Sequence, residues 1–207
     1  MLERAAKLSA GAGMVLSDLH LFARRSHASL HLEALGPELA RAPVVVLNGD
    51  TFDFRWSTVG DHEASRLAAV GWLREFARTC RQADIHFVLG NHDCLAGFAG
   101  RLQVLSEEEP RFHWHRHGVR LGAAMFLHGD CALGWMDGAG LARYRSAWEN
   151  DTQRGEWAGW AYRWADRLGL TRLAHAGQFP RRVAVTRVAY YLDRTVLGWR
   201  EEVRECY

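Results

Sequence analysis

The chain has 207 residues, 48% of them apolar and 24% charged, with a formal net charge of +2. That balance belongs to a folded unit large enough to bury a core, and it excludes a disordered or fibrous chain. The near-neutral charge argues against a polyanionic partner, so no nucleic-acid role is expected.

Met14-Val15-Leu16 is a short apolar run that ends abruptly in Ser17-Asp18-Leu19-His20, the pattern of a buried strand running into a polar loop. The pattern recurs at Val44-Val45-Val46-Leu47, which ends in Asn48-Gly49-Asp50, and at Ile85-His86-Phe87-Val88-Leu89, which ends in Gly90-Asn91-His92-Asp93. Between these runs the spacing predicts helices over 30–40 and 63–81, the second with Leu67, Val70, Leu73 and Ala77 on one face. Alternating strands and helices predict a largely parallel sheet, in which ligands bind beyond the carboxyl ends of the strands.

Residues 112–115 and 119–127 read as strands with a turn at Gly118, the second ending in His128-Gly129-Asp130. Beyond 141 the pattern is helical, with no further strand. Trp157, Trp160, Trp164 and Leu168 share one helical face, and Val185, Val188, Leu192, Val196, Trp199 and Val203 another. Residues 1–133 are therefore expected to form the core, and residues 134–207 a helical insertion or lid of the same domain.

Cys80, Cys94, Cys131 and Cys206 form no Cys-x-x-Cys pair, and residues 1–10 lack the apolar stretch of an export signal. The thiols read as reduced and the chain as cytoplasmic. No run reaches the roughly 20 apolar residues of a membrane span, so any membrane contact is expected to be peripheral, at an inner membrane.

The strand-end residues carry chemistry. Asp18 and His20, at i and i+2, point the same way from an extended backbone, and a carboxylate with an imidazole suits Mn²⁺, Fe or Zn²⁺. Asp50 follows a glycine that admits close approach, while Asp53 reads as a turn residue or one outside the ligand set. Asn91 offers a neutral carbonyl oxygen, and His92 beside Asp93 reads as a histidine oriented by a carboxylate. Each string alone is balanced by a bland reading as turn chemistry.

In this order, Ser17-Asp18-Leu19-His20, Gly49-Asp50-Thr51-Phe52-Asp53, Gly90-Asn91-His92-Asp93 and His128-Gly129-Asp130 resemble the calcineurin-like metallophosphoesterase family. The resemblance covers residues 14–130 and implies an α/β fold, a two-sheet β-sandwich flanked by helices, with a helical insertion after the fourth motif. It implies two divalent cations, Mn²⁺ foremost, with Asp18 and His20 on the first, Asp50 bridging, and Asn91 and His128 on the second. His92 would then be the catalytic histidine and Asp93 its partner, in hydrolysis of a phosphoester or pyrophosphate bond by a metal-activated water.

The family ends its site with a late Gly-His-x-His, and no such string follows His128. His175 stands alone, and His113-Trp114-His115 has the spacing but the wrong place in the order. The expectation is a truncated chain lacking closing strands, and a catalytically silent metal- or partner-binding scaffold stays open as an alternative. The helical stretch and its tryptophans, Trp135 and Trp148 among them, also resemble the UDP-2,3-diacylglucosamine hydrolases, which implies a lipid-nucleotide substrate. Those enzymes carry arginine where this chain has His92.

Overall fold

A computed structural model describes residues 3–5, 13–150, 180–196 and 199–207. It contains two four-stranded sheets. The first is wholly parallel, in the order β2 (Met14–Leu16), β3 (Val44–Asn48), β4 (Asp84–Val88), β5 (Phe112–His115). The second runs β1 (Glu3–Ala5), β6 (Gly118–Leu121), β7 (Ala124–Leu127), β8 (Glu205–Cys206). Among the described residues the helices are α1 (Ala28–Ala34), α2 (Gly36–Leu39), α3 (His62–Thr79), α4 (Phe98–Glu108), α5 (Gly138–Glu149), α6 (Arg181–Thr195) and α7 (Trp199–Glu202), with a 3₁₀ turn at Gly129–Ala132.

β3 shows why a sandwich forms. All five of its residues are buried, because β2 and β4 flank it and both of its faces are covered. Val45 and Leu47 pack with Leu73, Phe76, Phe98 and Leu102 of α3 and α4. Val44 and Val46 alternate to the opposite face and meet Val119, Leu121 and Phe126 of the second sheet. Each such side chain contributes about 1.5–3 kcal/mol by leaving water. The outer face of the second sheet is covered in turn, where Met125 and Leu127 pack with Leu141, Tyr191 and Leu192 of α5 and α6.

Several sequence expectations change in detail. The single helix expected over 30–40 is two, broken where Gly36 and Pro37 begin α2. α3 starts at Asp61, whose carboxylate accepts from the Ala64 N–H at 2.8 Å. Its buried stripe runs through Ala69, Val70, Leu73 and Phe76, while Leu67 is 53% exposed. The strand expected over 119–127 is a hairpin, because Gly122, at φ +60°, reverses the chain between Leu121 and Ala124. α4 had no counterpart in the expectation. At the C-terminal side Leu192 is buried and Val188, Val196, Trp199 and Val203 pack around it, whereas Val185 is 63% exposed. Glu205 and Cys206 pair with β7 as a strand, where the pattern indicated helix. Trp157, Trp160, Trp164, Leu168 and His175 lie outside the described residues.

The carboxyl ends of β2, β3 and β4 lie side by side in register, and the end of β7 faces β3 across the sandwich: Asn48 donates from Nδ2 to the Leu127 carbonyl at 3.0 Å. Four loops therefore open at one edge. They carry Asp18 and His20, Asp50, Asn91 to Asp93, and His128.

Candidate metal centre

Backbone bonds hold the first two loops together. The Asp18 N–H donates to the Gly49 carbonyl at 3.1 Å, His20 N–H to Asp50 carbonyl at 2.9 Å, and Leu21 N–H to Thr51 carbonyl at 2.8 Å. This packing holds Asp18, His20 and Asp50 at φ +54°, +47° and +50°. A left-handed backbone costs a residue with a Cβ about 1–2 kcal/mol, so three such residues in one cluster mark a place where side-chain direction outweighs local stability. Gly49 and Gly90 complete the arrangement by lacking a side chain. A Cβ on Gly49 would penetrate the His128 ring, and one on Gly90 would penetrate the Asp50 carboxylate.

Asp50 is at the middle. Its Oδ1 accepts the His92 N–H at 2.9 Å. Its Oδ2 lies 3.4 Å from His128 Nε2 and 3.9 Å from His20 Nε2. His128 Nε2 is also 3.3 Å from Asn91 Oδ1. Two sets of side chains each bring three ligand atoms within 4.8 Å of one another: Asp18, Asp50 and His128, and His20, Asp50 and His92. Asp50 belongs to both.

The ring of His92 stands edge-on to that of His20, with centroids 4.8 Å apart. Its Nδ1 is 3.0 Å from Asp53 Oδ1, and His20 Nδ1 is 3.5 Å from Asp53 Oδ2. The carboxylate that meets His92 is thus that of Asp53, three residues along the Asp50 loop. Asp93, expected to orient the ring, turns inward instead. It accepts the N–H groups of Phe52 at 2.7 Å, Gly90 at 3.1 Å and Thr51 at 3.2 Å, and so ties the Asp50 loop to the Asn91 loop. Adjacent residues in such a tight loop cannot both face the same side, which explains why sequence adjacency misleads here.

Burial alone would raise the carboxyl of Asp53, yet the His20 and His92 rings hold it well below the usual range. Asp53 is therefore ionised and His92 must donate from Nδ1, leaving Nε2 as the working nitrogen. Burial would lower His128, but its contact with Asp50 outweighs that and raises it to about 9. His20 is likewise raised against burial by Asp53, Asp50 and Asp18. Buried carboxylates that pull protons onto two imidazoles make a site that favours cations. Asp93 is pushed up to about 7, by burial first and then by Asp50.

The carboxylate and amide oxygens and the imidazole nitrogens gathered here are the donors that Mn²⁺, Fe or Zn²⁺ accept. Two histidines, His20 and His128, two acids, Asp18 and Asp50, and the Asn91 amide gather around the Asp50 carboxylate in a donor set that fits a pair of such ions. His113 and His115 are elsewhere, on β5 against His86, whose Nδ1 is 3.1 Å from His115 Nε2. Among the described residues, Cys80, Cys94, Cys131 and Cys206 are free thiols.

A family model described as calcineurin-like phosphoesterase matches residues 14–183, a span that contains every residue of the cluster. The chain belongs to the calcineurin-like phosphoesterase family. Calcineurin-like phosphoesterases are hydrolases of phosphoesters that typically bind divalent metals, and this site supplies candidate ligand groups for them. No curated protein matches the chain. Among the described residues no helix is long and apolar enough to cross a membrane.

Two further side chains at this calcineurin-like site, Tyr144 and Arg55, have no signal in the sequence, whereas Trp148 stands out there as one of the tryptophans of the helical stretch. Trp148 of α5 brings its ring to 4.9 Å from that of His92, with Tyr144 beside it at 6.2 Å. The guanidinium of Arg55 lies over the Trp148 ring at 4.1 Å. They come from a helix that begins 10 positions beyond His128 and from the far side of the Asp50 loop, so only the fold brings them in.

Proposed function

We propose that this chain hydrolyses a phosphoester or pyrophosphate bond with two divalent cations, Mn²⁺ foremost, held by Asp18, His20, Asp50, Asn91 and His128. The observation that carries the reading is the central position of Asp50, whose Oδ2 lies 3.4 Å from His128 Nε2 and 3.9 Å from His20 Nε2, two of the proposed ligands on different ions. Such cations supply a water nucleophile at neutral pH and offset charge on the phosphoryl oxygens.

The protein's own groups do the rest. His92 is fixed by two bonds, its N–H to Asp50 and its ring Nδ1 to Asp53. In its protonated form its Nε2 can donate to a phosphoryl or leaving oxygen, and Asp53 stabilises the charge that the ring then carries. Asp93 keeps the Asp50 and Asn91 loops at fixed separation, which sets the spacing of the ligands they bear. The rigid backbone supplies the positioning that in-line displacement requires.

The test is hydrolysis of bis(p-nitrophenyl) phosphate with Mn²⁺, abolished by EDTA and restored by Mn²⁺, together with metal analysis of the same sample. Two bound ions with no turnover of any phosphodiester, monoester or diphosphate would favour the silent scaffold.

A further inference from the structure

α5 is fixed at two points beside the proposed site. Arg145, 1% exposed, forms a two-pronged bond with Asp130, at 2.7 Å from Nε and 2.9 Å from Nη2. One turn on, the Glu149 carbonyl accepts the Ala96 N–H at 3.0 Å, which joins the helix end to the chain just beyond the Asn91 loop. Trp148 lies between these anchors and is thereby pressed against His92 on one hand and Arg55 on the other. Arg55 is partly exposed, and it meets the site through the same indole ring that His92 touches.

A guanidinium laid on an indole face gains attraction from the ring and loses much of its rotational freedom. Its donors then lie in one plane, the geometry that grips two oxygens of a phosphate or carboxylate. Arg55 and His92 contact the same indole ring, so an anion on Arg55 sits one group away from whatever His92 touches.

We propose that Arg55, set on Trp148, is an anion subsite for a second charged group of the substrate, and that the chain prefers phosphoesters bearing such a group over singly charged ones. The inference rests on the proposed function for where the scissile phosphate lies. Trp148 is a positioning residue here and Arg55 the specificity-determining one.

The experiment measures binding by calorimetry for ADP-glucose, a diphosphate diester, and for bis(p-nitrophenyl) phosphate, a singly charged one. It compares the Mn²⁺-loaded wild type, Arg55→Gln, Arg55→Lys and Trp148→Phe, with circular dichroism confirming that each is folded. The affinity ratio of ADP-glucose to the singly charged diester is expected to fall about tenfold in Arg55→Gln, to recover partly in Arg55→Lys, and to fall only two- to threefold in Trp148→Phe, which keeps a ring. Absence of ADP-glucose binding to the wild type, or an equal loss for both ligands in Arg55→Gln, would overturn the subsite. Intact, Arg55-dependent binding without hydrolysis would support the subsite and count against the proposed function alone.

Discussion

Asp53, fully buried, accepts from His92 through one carboxylate oxygen at 3.0 Å and faces His20 through the other at 3.5 Å. One acid outside the proposed ligand set thus orients one histidine proposed for metal and one proposed for substrate. Asp53→Asn is expected to weaken both roles, with kcat for bis(p-nitrophenyl) phosphate lowered about 10- to 100-fold and Mn²⁺ affinity lowered roughly tenfold. Steady-state kinetics across a Mn²⁺ titration checks this. An unchanged kcat at saturating Mn²⁺ would show that Asp53 does not act through His92.

Asp93 should behave differently, because its bonds go to backbone. Asp93→Ala leaves the buried N–H groups of Phe52, Gly90 and Thr51 without an acceptor. At about 1–3 kcal/mol for each of the three unsatisfied groups, the loss of stability is expected to be at least about 3 kcal/mol. Urea unfolding of the metal-free protein reads this directly, and a midpoint equal to wild type would remove Asp93 from that role.

The pair Arg145–Asp130 gives a double-mutant test of how α5 is anchored. Arg145→Met strands the buried Asp130 carboxylate and is expected to cost about 3–5 kcal/mol, a melting point lower by roughly 10 °C for a chain of this size. Adding Asp130→Leu removes the stranded charge and should recover part of that loss. Two additive losses in thermal unfolding would mean that the pair is not coupled.

A pH effect is expected from two histidines outside the proposed ligand set. Burial first, and then neighbouring histidines, lower His86 and His115 to about 4 from 6.5. Their folded pKa values lie below the unfolded one, so between pH 6.5 and 4 the unfolded chain binds more protons and stability falls as pH falls. Above 6.5 these two groups contribute no slope. His115→Gln is expected to flatten the decline between pH 6.5 and 4 in chemical denaturation, and an unaltered slope would exclude the pair as its source.

The strand-end positions of Asp18, His20, Asp50, Asn91 and His128 were legible because each followed an apolar, strand-like run that ended abruptly in a polar string. A period-2 or period-3.6 pattern reports burial, however, and not which neighbour covers a face. The second sheet was therefore named by family resemblance alone, and the turn at Gly122 and the strand at Glu205–Cys206 went unread: Gly122 lies inside a continuous apolar run, and β8 is too short to show alternation. The partner of His92 was misassigned for a related reason. Asp93 is next to it in sequence, but direction in a tight loop is set by φ and ψ, and Asp53 reaches the ring through the fold.

Metal stoichiometry tests most directly whether Asp50 serves two ions at once. The proteins to compare are wild type, Asp50→Ala and His92→Ala, each equilibrated with the same free Mn²⁺ and analysed for bound metal per chain. Two ions are predicted for wild type and for His92→Ala, and none held tightly by Asp50→Ala. Equal metal loss in Asp50→Ala and His92→Ala, or one ion kept at full affinity by Asp50→Ala, would contradict the shared-ligand arrangement.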